Sequence, residues 1–250
     1  MKLNKVVDGI NYCTTIIKTY EKENNQSVAT GFFYRIIESD TKFLITNKHV
    51  VSEKDSNPEY IEIRLHKEKE ELENFNLIRI NLKENGKNLW LEYPDINVYC
   101  DVVAIPLSKD TMPIGEYNKF VNSKVNFFTR DNINKIMPAQ FGKLAVIGYP
   151  KNFYDKIHNL PIYRQATLAS QYTINFMNEP FFLIDGKMHN GMSGLPVISS
   201  GTATYDTLGF GGNNLFGIFS DEWETGGESL GLNTVWYAQI LLYITNDKIE

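Results

Sequence analysis

The chain has 250 residues, a formal net charge of −5, and 42% hydrophobic and 13% aromatic residues. That composition excludes a disordered chain, and an acid excess without a basic stripe excludes nucleic acid as a main partner. The apolar runs fall far short of the roughly 20 residues of a membrane span, so no membrane partner is expected either.

The first nine residues, Met1-Lys2-Leu3-Asn4-Lys5-Val6-Val7-Asp8-Gly9, contain no apolar signal core and no small-residue cleavage site. This predicts a cytoplasmic chain. Cys13 and Cys100, the two cysteines, are then expected to be reduced, buried thiols. Short β-rich runs follow at 14–20, 28–37, 41–49, 60–67, 76–82, 88–93 and 102–107. Glu84-Asn85-Gly86-Lys87 between two of them is a hairpin signal, because Asn-Gly supplies the turn twist that matches strands. Residues 108–140, rich in Asn, Lys and isolated aromatics, are expected to be a connection and surface loop. More β-rich runs come at 143–149, 161–169, 181–185, 195–198, 208–220 and 232–236. Many short strands separated by turn residues predict an all-β protein of barrels or sandwiches. Trp236, Ile240, Leu241 and Ile244 have helical spacing and predict a terminal helix over 236–246. The charge run His66-Lys67-Glu68-Lys69-Glu70-Glu71 is expected on a solvated loop or hairpin edge, and His66 and His158 on the surface.

Three polar residues stand where strands hand side chains to a surface. His49 closes the apolar run Phe43-Leu44-Ile45-Thr46-Asn47-Lys48-His49-Val50-Val51, and Asp101 opens Asp101-Val102-Val103-Ala104-Ile105. Ser193 lies in the glycine-flanked turn Gly191-Met192-Ser193-Gly194-Leu195-Pro196. A serine hydroxyl needs a base to take its proton, and the base needs an acid to orient it. The attack also creates an oxyanion, and a glycine turn can aim backbone N–H groups at it. The candidate roles are therefore Ser193 as nucleophile, His49 as base, Asp101 as orienting acid, and the N–H groups of Gly191 and Ser193 as oxyanion hole. An α/β-hydrolase site is excluded, because Leu195 replaces its last glycine and no histidine follows Ser193. The histidines 49, 66, 158 and 189 show no i, i+4 pair, and Cys-x-x-Cys is absent. No metal and no other cofactor is expected.

Five blocks in order carry a family resemblance. They are Thr30-Gly31-Phe32-Phe33 with Leu44-Ile45-Thr46-Asn47-Lys48-His49-Val50-Val51, then Asp101-Val102-Val103-Ala104-Ile105, then Leu144-Ala145-Val146-Ile147-Gly148-Tyr149-Pro150, then 161–169, and last Phe182-Leu183-Ile184-Asp185 with Ser193-Gly194-Leu195-Pro196. Together they resemble trypsin-like serine proteases of the HtrA-like bacterial type without a PDZ domain. The resemblance implies an all-β fold of two six-stranded antiparallel β-barrels of chymotrypsin type with a C-terminal helix. As one peptidase domain over 1–250, it would place an N-terminal barrel at about 10–107, the connection at 108–140 and a second barrel at 141–235. It implies peptide-bond hydrolysis through a Ser-His-Asp triad and an acyl-enzyme, with a protein or peptide as substrate. Two positions depart from the pattern: Met192 stands where an Asn or Asp is usual, and Leu195 replaces a glycine.

The resemblance also implies a substrate-binding set of Lys187, Met188, His189, Ser220 and Asp221, with Lys187 at the base of the specificity pocket and the Ser220 carbonyl facing the substrate backbone. Lys187 and His189 favour acidic substrate residues, while Asp221 and Glu222 favour the opposite. Both readings stay open at this point. The alternative to an active enzyme is an inactive relative that binds peptides or acts as a scaffold. An unguarded cytosolic protease would be hazardous, so control by a regulatory partner protein, by a misformed resting oxyanion loop or by narrow specificity is expected.

Overall fold

The computed structural model describes residues 7–22, 24–52, 57–68, 71–133, 137–199 and 214–247. The first half forms strands β1 (Thr14–Glu21), β2 (Asn24–Arg35), β3 (Lys42–Thr46), β4 (Tyr60–His66), β5 (Phe75–Asn81), the short pair β6 (Lys83–Glu84) and β7 (Lys87–Asn88), and β8 (Val103–Pro106). A single helical turn, α1 (Lys48–Val51), follows β3. The second half forms β9 (Lys143–Gly148), β10 (Ile162–Leu168), β11 (Phe181–Asp185), β12 (Pro196–Ser199), β13 (Leu215–Thr225) and β14 (Glu228–Tyr237). A helix α2 (Ile114–Val121) lies between the halves and α3 (Ile240–Ile244) follows the last strand.

The fold is all-β, as the strand pattern predicts. The first six-stranded sheet has the order β5-β4-β1-β2-β3-β8 and curls without a ladder closing it, among the described residues, while the second six strands close into a barrel in the order β10-β11-β14-β13-β12-β9. Period-two patterning explains the faces: in β4, Ile61, Ile63 and Leu65 are buried while Glu62 and Arg64 are only half-buried on the other face. Leu44, Ile61, Ile63, Ile78, Ile80, Val103 and Ile105 fill the first sheet, and Leu144, Val146, Phe182, Ile184, Leu195, Val197 and Val235 fill the barrel. A third cluster joins the two units, with Phe32, Tyr34, Ile45 and Ala104 against Ile147, Leu183, Ile198, Ile218 and Trp236. The site lies along that seam.

The Asn85-Gly86 turn behaves as its residues require. Both have positive φ, 49° and 76°, and they join β6 to β7.

Several elements differ from the sequence reading. The final helix is confined to Ile240–Ile244, because Trp236 and Tyr237 pair with Phe181 and Gly217 in the barrel. Ladder pairing outweighs a short helical period. The connecting segment contains α2 and is partly core: Met112 and Phe120 pack into the first sheet, and Phe128 sits edge-on to Phe32 at 5.5 Å. Of the expected run at 88–93, only Asn88 is in a strand, and Leu91 makes a lone bridge to Ala104. In the expected strand 208–220, residues 208–213 lie outside the described residues, as do Lys69 and Glu70 of the charge run. The two cysteines are free and buried, as expected.

His66 is buried rather than on the surface. Its Nε2 donates to the His158 carbonyl at 2.8 Å, and its ring meets Tyr12 edge-on. It lies on the face of β4 shared with Glu62 and Arg64, where Tyr12 and the His158 carbonyl cover it, which a charge run cannot reveal. Burial holds its imidazole below the ordinary histidine value, against the opposing pull of the bond to His158. The unfolded chain therefore binds a proton at a higher pH than the folded one. Stability is expected to fall as pH drops from about 6.5 towards the lowered native value, and to be flat on either side of that window. Urea midpoints at pH 7.5 and 5.5 test this: His66→Gln should show a smaller drop than the unsubstituted chain, and equal drops would sink the assignment.

Candidate active site

The first half of the site is built by the corner after β3. Thr46 ends the strand, and its Oγ1 donates to the Thr30 carbonyl at 3.0 Å. Asn47, fully buried, donates from Nδ2 to the Asp101 carbonyl at 2.7 Å, and Lys48 N donates to the same oxygen at 3.3 Å. These bonds tie Asp101, two residues before β8, to the start of α1. His49 therefore stands on a helical turn rather than on the strand end that the sequence suggested.

The result is a short, directional contact. His49 Nδ1 lies 2.7 Å from Asp101 Oδ2, and His49 N donates to Asp101 Oδ1 at 2.9 Å. From the barrel side, Ser220 Oγ donates to Asp101 Oδ2 at 2.6 Å. An ionised carboxylate only accepts, so the neutral imidazole carries its proton on Nδ1 and presents the Nε2 lone pair outward. Asp101 is 1% exposed, so its charge needs these three donors. Sequence reasoning had given Ser220 a role through its carbonyl; the hydroxyl contact to Asp101 joins residues 119 positions apart and leaves no local signal. Asn47 was missed for the same reason.

The second half is the turn before β12. Gly191 and Gly194 both have positive φ, 86° and 84°, a conformation costly for any residue with a Cβ. The turn is held by its carbonyls. His189 O accepts from Met192 N at 3.1 Å, Asn190 O from Lys151 N at 2.7 Å, Gly191 O from Thr30 Oγ1 at 3.0 Å, Met192 O from Leu195 N at 3.1 Å and Ser193 O from Thr30 N at 3.0 Å. In a trans peptide the N–H points opposite to the preceding C=O. Fixing the carbonyls of Asn190 and Met192 therefore fixes the N–H groups of Gly191 and Ser193. Neither donates to an acceptor among the described residues. Thr30 acts as the hub, since its Oγ1 also accepts from Tyr149 N at 3.1 Å. The two departures from the family pattern are apolar side chains in the barrel core: Met192 and Leu195 are both fully buried.

Gly194 is pinned between the units. A Cβ there would run into Thr30 O and Thr46 Oγ1 and would lie 3.0 Å from the Thr46 Cα. Gly194→Ala is therefore expected to destabilise the fold by about 2–5 kcal/mol, from the left-handed backbone and overpacking together. A urea melt measures this, and an unchanged midpoint would contradict the packing described.

The expected substrate-binding residues divide. Lys187 is exposed, so it does not form a buried pocket base. Met188 is buried and packs into the barrel core beside Gly186 and Ala166. The fully buried polar group nearby is Asn233, which sequence reasoning missed; its Nδ2 donates to the Gly186 and Gly231 carbonyls at 2.8 and 3.1 Å. Its fixed place in β14 opposite Ile184 and Glu222 puts it there. His189 is half-buried at the rim. Partial desolvation and the cations Arg164, Lys151 and Lys187 hold its imidazole below the ordinary value, with Glu222 opposing. Asp221 is exposed, with a carboxylate oxygen 3.0 Å from the Ser220 Oγ whose proton goes to Asp101. His49, Asp101 and Asp221 bring potential metal-ligand atoms within 4.8 Å of one another. The Asp101 oxygens in that group already accept hydrogen bonds from His49 and Ser220.

This architecture is that of the trypsin-like, HtrA-type serine proteases. No family model and no curated protein matches the chain. Among solved structures, it is similar to a serine endoprotease from Yersinia pestis, with a TM-score of 0.55, 16% identity, and coverage of 94% of this chain and 62% of that one. The HtrA-type protease AlgW with a tripeptide gives a TM-score of 0.55 at 14% identity, over 96% of this chain and 61% of that one. The MamO protease domain from Magnetospirillum magneticum gives 0.54 at 13% identity, over 94% and 96%. The chain thus spans less than two thirds of the first two structures it matches. At these identities the likeness concerns the fold.

Proposed function

We propose that the chain is a serine endopeptidase with Ser193 as nucleophile, His49 as general base and Asp101 as the acid that orients it. The observation that carries this reading is the Asp101 carboxylate, buried at the seam and bonded to both His49 Nδ1 and Ser220 Oγ. That arrangement holds one tautomer of His49 and would stabilise the imidazolium when it forms. In the proposed reaction, Ser193 Oγ attacks the scissile carbonyl carbon while its proton passes to His49 Nε2. The N–H groups of Gly191 and Ser193 receive the oxyanion, in the orientation that the carbonyls of Asn190 and Met192 impose. His49 then gives its proton to the leaving amine, and water activated by the same base releases the acyl group from Ser193.

The substrate is a peptide segment laid along β13 near Ser220, where strand addition would supply backbone hydrogen bonds. In this reading Met192 packs in the barrel core while backbone bonds to Thr30, Lys151 and Leu195 hold the turn. A fluorophosphonate probe tests the proposal. It should form one covalent adduct, mapped by mass spectrometry to Ser193, and a folded chain that never labels there would overturn the reading in favour of a peptide-binding relative.

A further inference from the structure

The two N–H groups assigned to the oxyanion belong to separate peptide planes. The Gly191 N–H lies in the Asn190–Gly191 plane and the Ser193 N–H in the Met192–Ser193 plane, with the Gly191–Met192 plane between them. That middle plane sets the angle between the two donors. Gly191, at φ 86°, leaves it free to turn unless something outside holds it. Two bonds do so. Its N–H, on Met192, donates to His189 O at 3.1 Å, and its carbonyl, Gly191 O, accepts from Thr30 Oγ1 at 3.0 Å.

The Thr30 hydroxyl is fixed in its turn. Tyr149 N donates to it at 3.1 Å, so its own proton goes to Gly191 O. Thr30 is fully buried, and Gly148 closes over it: a Cβ at position 148 would lie 2.8 Å from Thr30 Oγ1 and 3.2 Å from its Cγ2. Two residues beyond Tyr149, Lys151 N donates to Asn190 O at 2.7 Å, which sets the plane of the Gly191 N–H. The same hydroxyl therefore touches the middle plane and the segment that grips the first. Its main chain reaches further. Thr30 N donates to Ser193 O at 3.0 Å, and Thr30 O accepts from Thr46 Oγ1, three residues before His49.

We propose that the Thr30 hydroxyl is a positioning group for the oxyanion hole: it fixes the angle between the Gly191 and Ser193 N–H groups, and it acts through the turn rather than on the substrate. Removing it leaves Gly191 O and Tyr149 N without their partner in a buried place and frees the middle plane to rotate. The loss then falls on the transition state, where the oxyanion forms, and spares binding of the peptide. A threonine that only packed against Gly148 would not give that split. The catalytic consequence rests on the peptidase reading; the hold on the turn does not.

Two measurements on the full chain separate the two claims. In the first, kcat and KM are read on a fluorogenic peptide for Thr30→Val, Thr30→Ala and Thr30→Ser. Val keeps the shape and loses the hydroxyl, Ala loses it without crowding Gly191 O, and Ser keeps it without the methyl group. Val and Ala should each lower kcat by about 10²-fold, the scale of one oxyanion donor, with KM within about threefold. Ser should stay within about threefold of the unsubstituted chain in both. If Val does not fold, Ala carries the same comparison. Equal losses in Ser and Ala, or an unchanged kcat in Ala, would overturn the proposal. In the second, amide hydrogen exchange is followed residue by residue by NMR, which needs no turnover. Thr30→Ala should speed exchange by at least about tenfold at Lys151 and Met192 as well as at Tyr149, and Thr30→Ser should not. Faster exchange at Tyr149 alone would mean that the hydroxyl bonds locally without holding the turn, and would overturn the proposal too. The expected exchange pattern in a chain that neither labels nor cleaves would keep Thr30 as the holder of the turn and sink the peptidase reading instead.

Discussion

Ser193→Ala is expected to lower kcat by about 10⁶-fold on any peptide that the unsubstituted chain cleaves, judged from comparable triads in other proteins. The reason is local. In the proposed mechanism the hydroxyl of Ser193 forms the bond to the substrate, and removing it leaves only the oxyanion donors and binding. The backbone that sets the turn is untouched, because Ser193 contributes its carbonyl to Thr30 N and not its side chain. The variant should therefore keep its urea midpoint and its peptide binding while losing turnover and probe labelling together. Turnover that survives the substitution would mean that another group is the nucleophile, or that the activity comes from a contaminant.

Asp101→Asn is expected to cost about 10⁴-fold in kcat. The asparagine is nearly the same shape, so the loss isolates charge and proton direction. Its amide can donate to His49 Nδ1, which pushes the imidazole proton onto Nε2, the atom that must accept from Ser193. The same change removes the negative charge that would stabilise the imidazolium. Asp101 Oδ2 accepts from both His49 Nδ1 and Ser220 Oγ, and an amide NH₂ at that place could accept from neither. A destabilisation of about 1–3 kcal/mol should accompany the loss of activity, from polar groups left unpaired in a buried place. Steady-state kinetics with a fluorogenic peptide and a parallel urea melt separate the two effects. A kcat within tenfold of the unsubstituted chain would show that Asp101 does not set the His49 tautomer.

Both predictions depend on side chains that come from different units of the fold. His49 and Asp101 come from the first half of the chain, Ser193 and Ser220 from the second, and Thr30 holds the two together through Ser193, Gly191 and Tyr149.

Much of this was legible along the chain, for a physical reason. Strands announce themselves by alternation, and positions such as Ile61, Ile63 and Leu65 must share a face whatever they pack against. The Asn85-Gly86 turn and the glycines at 191 and 194 were readable because positive φ is a local constraint that few residues tolerate. His49, Asp101 and Ser193 could be singled out because each lies beside an apolar strand. Where a residue's environment is set by distant chain, local reading failed. His66 closes a strand next to a charge run, yet it is buried under Tyr12 and the His158 carbonyl. Trp236 has the spacing of a helix, yet the ladder to Phe181 claims it. The helix at Ile114–Val121 and the core role of Phe128 were hidden in a segment with no steady period.

The sequence by itself determined the all-β class, the apolar faces and the three residues with the chemistry of a triad, since each follows from local periodicity, turn geometry or side-chain type. Only the tertiary structure decided that His49 meets Asp101 at 2.7 Å, that the Ser220 hydroxyl completes the carboxylate's bonding, and that Lys187 stays exposed while Asp221 stands beside His49. These are contacts between segments far apart in the chain, set by how one curled sheet packs on one closed barrel, and no local pattern encodes them.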